Sequence, residues 1–100
     1  MYQQIVKQEL HLSQKVSIRT ADFGKINVSV LTYEFSRTHG AFKYATQILA
    51  PNELNKILNV GSVQQYYTEE EAKKGHQEII RKLRNREFEF IPEVYRLVIT

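Results

Sequence analysis

From Leu10 to Ile18 the apolar residues Leu10, Leu12, Val16 and Ile18 fall on every second position, with Gln14 the only break. That period belongs to a strand with one face on a core and the other toward water. Asp22-Phe23-Gly24 follows, a three-residue connection in which Gly24 can take the positive φ of a bulge, and Ile26, Val28 and Val30 resume the alternation. The pattern predicts a β-hairpin. Its second strand runs on through Leu31, Tyr33 and Phe35 on the opposite face, so its later part calls for cover on both sides. Ser36-Arg37-Thr38-His39-Gly40 has turn chemistry, and Phe42, Tyr44, Thr46 and Ile48 give a third strand by the same period. A three-stranded antiparallel meander is the economical arrangement.

Pro51 ends that strand and suits the first position of a short helix, with Leu54, Ile57 and Leu58 on one face and Gly61 as its stop; an ordered loop is the alternative. Val63 to Tyr67 reads as a brief strand or an extended lead-in to the main helix. The main helix is predicted from about Glu69 to about Asn85, because Ala72, His76, Ile79, Ile80 and Leu83 recur at helical spacing. Thr68 and Glu71 form a capping box, each side chain satisfying the other's backbone N–H. Glu69 with Lys73, Glu70 with Lys74 and Glu78 with Lys82 stand four apart with the acid first, the favourable orientation for ion pairs along a helix. Beyond it Phe88 and Phe90 alternate with Glu87 and Glu89, Pro92 interrupts, and Tyr95, Leu97 and Ile99 predict a final strand. Residues Tyr2, Ile5 and Val6 fit helix or strand equally. The expected fold is one α+β domain over residues 1–100: an antiparallel sheet, the three-stranded meander plus a C-terminal strand completing an edge, with the helix packed on one face.

Composition narrows the function classes. At 42% hydrophobic and 25% charged, the chain closes one small core and is not expected to be disordered. The absence of cysteine excludes disulfides, thiolate metal sites and a cysteine nucleophile. No apolar run approaches the roughly 18 residues of a membrane span, and the N-terminus lacks a basic region followed by an apolar one. The expected location is the cytoplasm of a host cell, or a virion if the protein is structural; no membrane partner is expected. The formal charge of +3 lies unevenly: residues 1–50 hold six cations against three acids, whereas residues 51–100 hold eight of each.

Candidate chemistry is sparse. His76 lies on the apolar stripe beside Gly75, where an imidazole can act as a base or a ligand, but the expected role is structural, with a ring nitrogen meeting a backbone carbonyl. Gly75 is expected to admit a strand or an aromatic ring at close range. His39 shares a loop with Ser36 and Arg37, yet a nucleophile relay also needs an orienting acid and an oxyanion site, and no glycine-rich element supplies one. His11, His39 and His76 match no common metal spacing. No catalytic residue, cofactor or metal is therefore expected. The basic residues of Lys73 to Arg86 read as a solvated face laced with ion pairs. The eleven aromatic residues, six of them tyrosine, exceed what one small core readily hides, and tyrosine suits interfaces because its ring supplies area while its hydroxyl stays wet.

Tyr44-Ala45-Thr46-Gln47-Ile48-Leu49, together with Tyr66-Tyr67-Thr68-Glu69-Glu70-Glu71-Ala72, Gly75-His76 and Ile79-Ile80, resembles a widespread group of small phage and prophage proteins. These look like a Tyr-x-Thr strand followed by Thr-Glu-Glu-Glu-Ala-x-x-Gly-His and a helix. The resemblance covers residues 42 to 85, with Ala45 and Gln47 departing from the residues typical of that strand. It implies a phage-related origin and no particular activity. The leading expectation is a non-enzymatic phage-type interaction module that binds a host protein or another virion component through Tyr33, Phe35, Arg37, His39, Tyr66, Tyr67, Arg84 and Arg86. The alternative is a small nucleic-acid-binding module using the basic first half, and self-association through an exposed edge strand is a further expectation.

Overall fold

The computed structural model describes residues 10–39, 42–52 and 54–100, with the side chains of 36–39 excepted. Tyr2, Ile5 and Val6 lie outside the described residues. Strands β1 (His11–Thr20), β2 (Gly24–His39) and β3 (Phe42–Pro51) form the expected antiparallel meander. The far side of β3 is shared by two short strands, β4 (Ile57–Asn59) and β5 (Gln64–Tyr66), and among the described residues β1 pairs with β2 alone. Helix α1 (Glu69–Arg84) crosses one face, and β6 (Phe88–Ile91) pairs with β7 (Arg96–Ile99) as a separate hairpin. The C-terminal strand thus exists but sits beside the main sheet, touching it where the Leu97 N–H donates to the Val60 carbonyl at 2.7 Å.

Register explains the layers. Val16 faces Val28, Ile18 faces Ile26 and Val30 faces Ile48, so the even-numbered positions of all three long strands share one side. Against that side α1 lays Ala72, His76, Ile79, Ile80 and Leu83, closing a core with Leu97 from β7. Each such aliphatic side chain removed from water contributes about 1.5–3 kcal/mol, which is what fixes α1 to this face. The hairpin turn places Gly24 at φ 67 as its position requires. Phe23 in that turn meets the rings of Phe90 and Tyr95 edge-on at 5.9 and 5.3 Å, which anchors the β6–β7 hairpin to the end of the sheet.

The predicted short helix after Pro51 does not form. The Asn52 side-chain oxygen accepts from the backbone N–H groups of Leu54 (2.9 Å) and Lys56 (3.0 Å), and Asn55 sits at φ 59, so the chain turns back as a hairpin instead. The main helix opens as expected: Glu71 N–H donates to Thr68 Oγ1 at 3.1 Å and the Glu71 carboxylate accepts from Thr68 N–H at 3.0 Å. It ends in a Schellman arrangement, with Arg86 N–H donating to the Leu83 carbonyl (3.3 Å) and Glu87 N–H to that of Lys82 (2.8 Å). No helix among the described residues is long and apolar enough to cross a membrane.

Candidate functional site

Two polar hydroxyls face each other in the middle of the buried side of the sheet. Thr32 on β2 and Thr46 on β3 are register partners, both fully buried, and their hydroxyls are hydrogen-bonded. Thr32 Oγ1 also lies 2.7 Å from His76 Nδ1, and the Tyr66 phenol comes close to Thr46. Three side chains from β2, β3 and α1 thereby form one continuous chain, Thr46, Thr32 and His76, with Tyr66 of β5 beside its Thr46 end. The imidazole therefore meets a side-chain hydroxyl and not the expected backbone carbonyl. Burial lowers the His76 pKa below its usual value, which keeps the ring neutral near pH 7, and burial raises that of the Tyr66 phenol. No buried side-chain nitrogen or oxygen among the described residues lacks a hydrogen-bond partner. A neutral, satisfied chain of this kind holds elements in place.

Gly75 precedes His76, and a side chain there would occupy the same space as the Tyr66 ring. The expected close approach of an aromatic ring is what the glycine serves. Tyr66 and Gly75 line a groove of about 370 Å³ between α1, β5 and β7.

The outer face of α1 is closed by its own charges. Lys73 pairs with Glu69 at 2.8 Å, and Arg81 bridges Glu78 and, at 3.0 Å, Glu87. The spacing that predicted Glu78 with Lys82 is overridden, since Arg81 takes Glu78 while Lys82 Nζ donates to the Thr100 carbonyl at 2.9 Å. No Glu70–Lys74 ion pair forms among the described residues.

The opposite face of the sheet is different. Odd-numbered positions project there, and no described helix or strand crosses it. It carries exposed Lys15, Arg19, Lys25 and Lys43, with partly buried Leu31, Tyr33, Phe35 and Leu49 along its middle. Tyr33 and Phe35 meet edge to face at 5.7 Å. Among the described residues, no helix or strand supplies the cover that Leu31 and Tyr33 call for. No aspartate or glutamate is among the described residues of this face in β1, β2 and β3, because Glu34 points to the helix side opposite Tyr44 and Asp22 lies in the turn.

The residues expected to form one interaction surface are dispersed. Tyr33 and Phe35 share the open face, whereas Tyr66 packs against Gly75 on the helix side. Tyr67 is exposed and stacks on Phe42 with ring centroids 4.5 Å apart. Arg84 and Arg86 stand at the end of α1, where the structure brings them together with Arg19 and Lys25. The side chains of Arg37 and His39 lie outside the described set. Among the described residues, no three histidine, aspartate or glutamate side chains converge as metal ligands. Sequence reasoning left Lys15 and Lys25 out of the sheet face that holds Arg19 and Lys43, although their odd numbering against the even apolar positions is the signal that finds them. No protein-family model, curated protein or solved structure matches the chain.

Proposed function

We propose that this domain is a non-enzymatic binding module that holds a single-stranded nucleic acid on the open face of its sheet. The observation that carries this reading is the composition of that face, with four exposed cations, no acid among its described residues and an aromatic pair on the central strand. Cations that flank an aromatic strip are what a backbone of phosphates with stacking bases requires. Positive charge without acids on one face also orients an approaching polyanion. A short single-stranded oligonucleotide titrated at increasing salt tests the reading. Four phosphate contacts give a slope of log affinity against log salt of roughly −3. Undetectable binding at low salt overturns it.

A second reading, the phage-type module that binds a host or virion protein, is favoured by a different surface. Leu54 and Ile57 on the β3–β4 hairpin are 74% and 64% exposed, and Val94 in the β6–β7 turn is 62% exposed. Tyr95 ties these two turns together, its hydroxyl donating to the Pro51 carbonyl at 2.7 Å. Apolar side chains gathered at one end of a small domain suit contact with another protein. Loss of partner capture on Ile57→Asp, with the nucleic-acid affinity intact, is the result this second reading requires.

A further inference from the structure

Between the end of α1 and β1 lies a cleft of about 240 Å³. Arg19 from β1, Lys25 from β2, and Arg84 and Arg86 from the helix end all line it, with Ser17, Ile18, Leu83 and Phe88. Three features set this cluster apart from a solvated basic surface. Arg19 and Lys25 are direct register partners, a like-charge pair that costs stability when nothing lies between the side chains. None of the four cations forms an ion pair among the described residues, and Glu87, the acid next to Arg86, is committed to Arg81. Arg86 also occupies the position after the helix cap where glycine is the usual residue, at φ 60. A left-handed conformation is costly for a residue with a Cβ, so an arginine there is unfavourable for the fold taken alone.

From these features we infer that the cleft is a binding site for a phosphoryl group. A dianion set among four cations relieves the Arg19–Lys25 repulsion, and a guanidinium can grip two of its oxygens at once. The volume suits a phosphate or diphosphate. Because Arg19 and Lys25 also border the open face, the phosphoryl group can be the end of a bound strand or a free small molecule.

Inorganic pyrophosphate titrated into isotope-labelled protein at constant ionic strength, followed by amide shifts, tests it. Saturable shifts confined to residues 17–19, 25 and 83–88 are expected. Arg86→Gly and Arg19→Gln each weaken binding about tenfold, as loss of one charge-assisted contact does. Arg86→Gly does so while raising the thermal midpoint, because glycine relaxes the left-handed position; a residue there for structural reasons alone would not pair those two effects. Lys74→Gln, on the outer face of α1, leaves the affinity unchanged. Absence of saturable shifts at millimolar pyrophosphate overturns the inference, and so does equal weakening by Lys74→Gln. A 5′-phosphorylated oligonucleotide that binds more tightly than its 5′-hydroxyl form, with the difference abolished in Arg86→Gly, identifies a strand end as the source. Equal binding of the two, alongside pyrophosphate binding in the cleft, identifies a free phosphate compound.

Discussion

The ring of Tyr66 fills the space that a side chain on Gly75 would take. A strand residue and a helix residue thus share one volume, and the helix accepts the poorest non-proline helix former to allow it. Propensity and packing then predict opposite outcomes for one substitution. Gly75→Ala gains up to about 1 kcal/mol in helix propensity. It also forces the Tyr66 ring off Thr46 or lifts α1 from the sheet, at a cost of about 1–3 kcal/mol. Net destabilisation in urea unfolding is expected; a variant more stable than the parent would show that the ring moves aside freely.

Removing the hydroxyl next to the imidazole tests the buried chain. Thr32→Val keeps the shape but leaves His76 Nδ1 and the Thr46 hydroxyl without that partner, and a destabilisation of about 1–3 kcal/mol is expected. Because Thr32 and Thr46 belong to one connected set, Thr32→Val combined with Thr46→Val should cost less than the sum of the single changes. Strictly additive unfolding energies would show that the two hydroxyls act separately.

The depressed pKa of His76 gives stability a pH dependence of definite sign. In the unfolded chain the imidazole takes up a proton near pH 6.5, whereas the folded domain resists protonation until lower pH. Between those two values the unfolded state binds more protons, so stability is complete above about pH 6.5 and declines as the pH falls toward the folded pKa. Urea midpoints measured from pH 8 to pH 5 should show this decline, and His76→Asn should flatten it. An equal decline in His76→Asn would assign the effect to other groups.

Replacing one cation of the open face separates phosphate contact from general charge. Lys43→Gln should lower single-strand affinity and reduce the magnitude of the salt slope by about 0.7. Lys56→Gln, in the β3–β4 hairpin, removes the same charge and should leave the slope unaltered. Equal effects from both would indicate diffuse attraction.

The meander and helix were legible because their information is local: period two in β1 to β3, period 3.6 in α1, and the Thr68–Glu71 box at its start. What escaped depends on contacts between distant residues or on one side chain's choice of partner. Asn52 turns a helix-compatible segment into a hairpin by accepting two backbone N–H groups. Phe23, which reads as a mere turn residue, holds the C-terminal hairpin away from the sheet's edge through Phe90 and Tyr95. The partner of His76 was visible only as an oddity, two threonines on otherwise aliphatic strand faces. The basic cleft joins Arg19 to Arg86, a pairing that no sequence window contains.

The threonine pair also discriminates between assemblies that oil-like burial scarcely tells apart. Sliding β2 along β3 by two residues keeps every aliphatic side chain on the helix side, but it would set Val30 or Glu34 where Thr32 meets Thr46. The imidazole would then face a methyl group or a carboxylate, and the Thr46 hydroxyl would lose its partner on β2. Correct alignment is thereby recognised by polar matching at a single point, which lets a sheet of interchangeable valines and isoleucines settle into one arrangement.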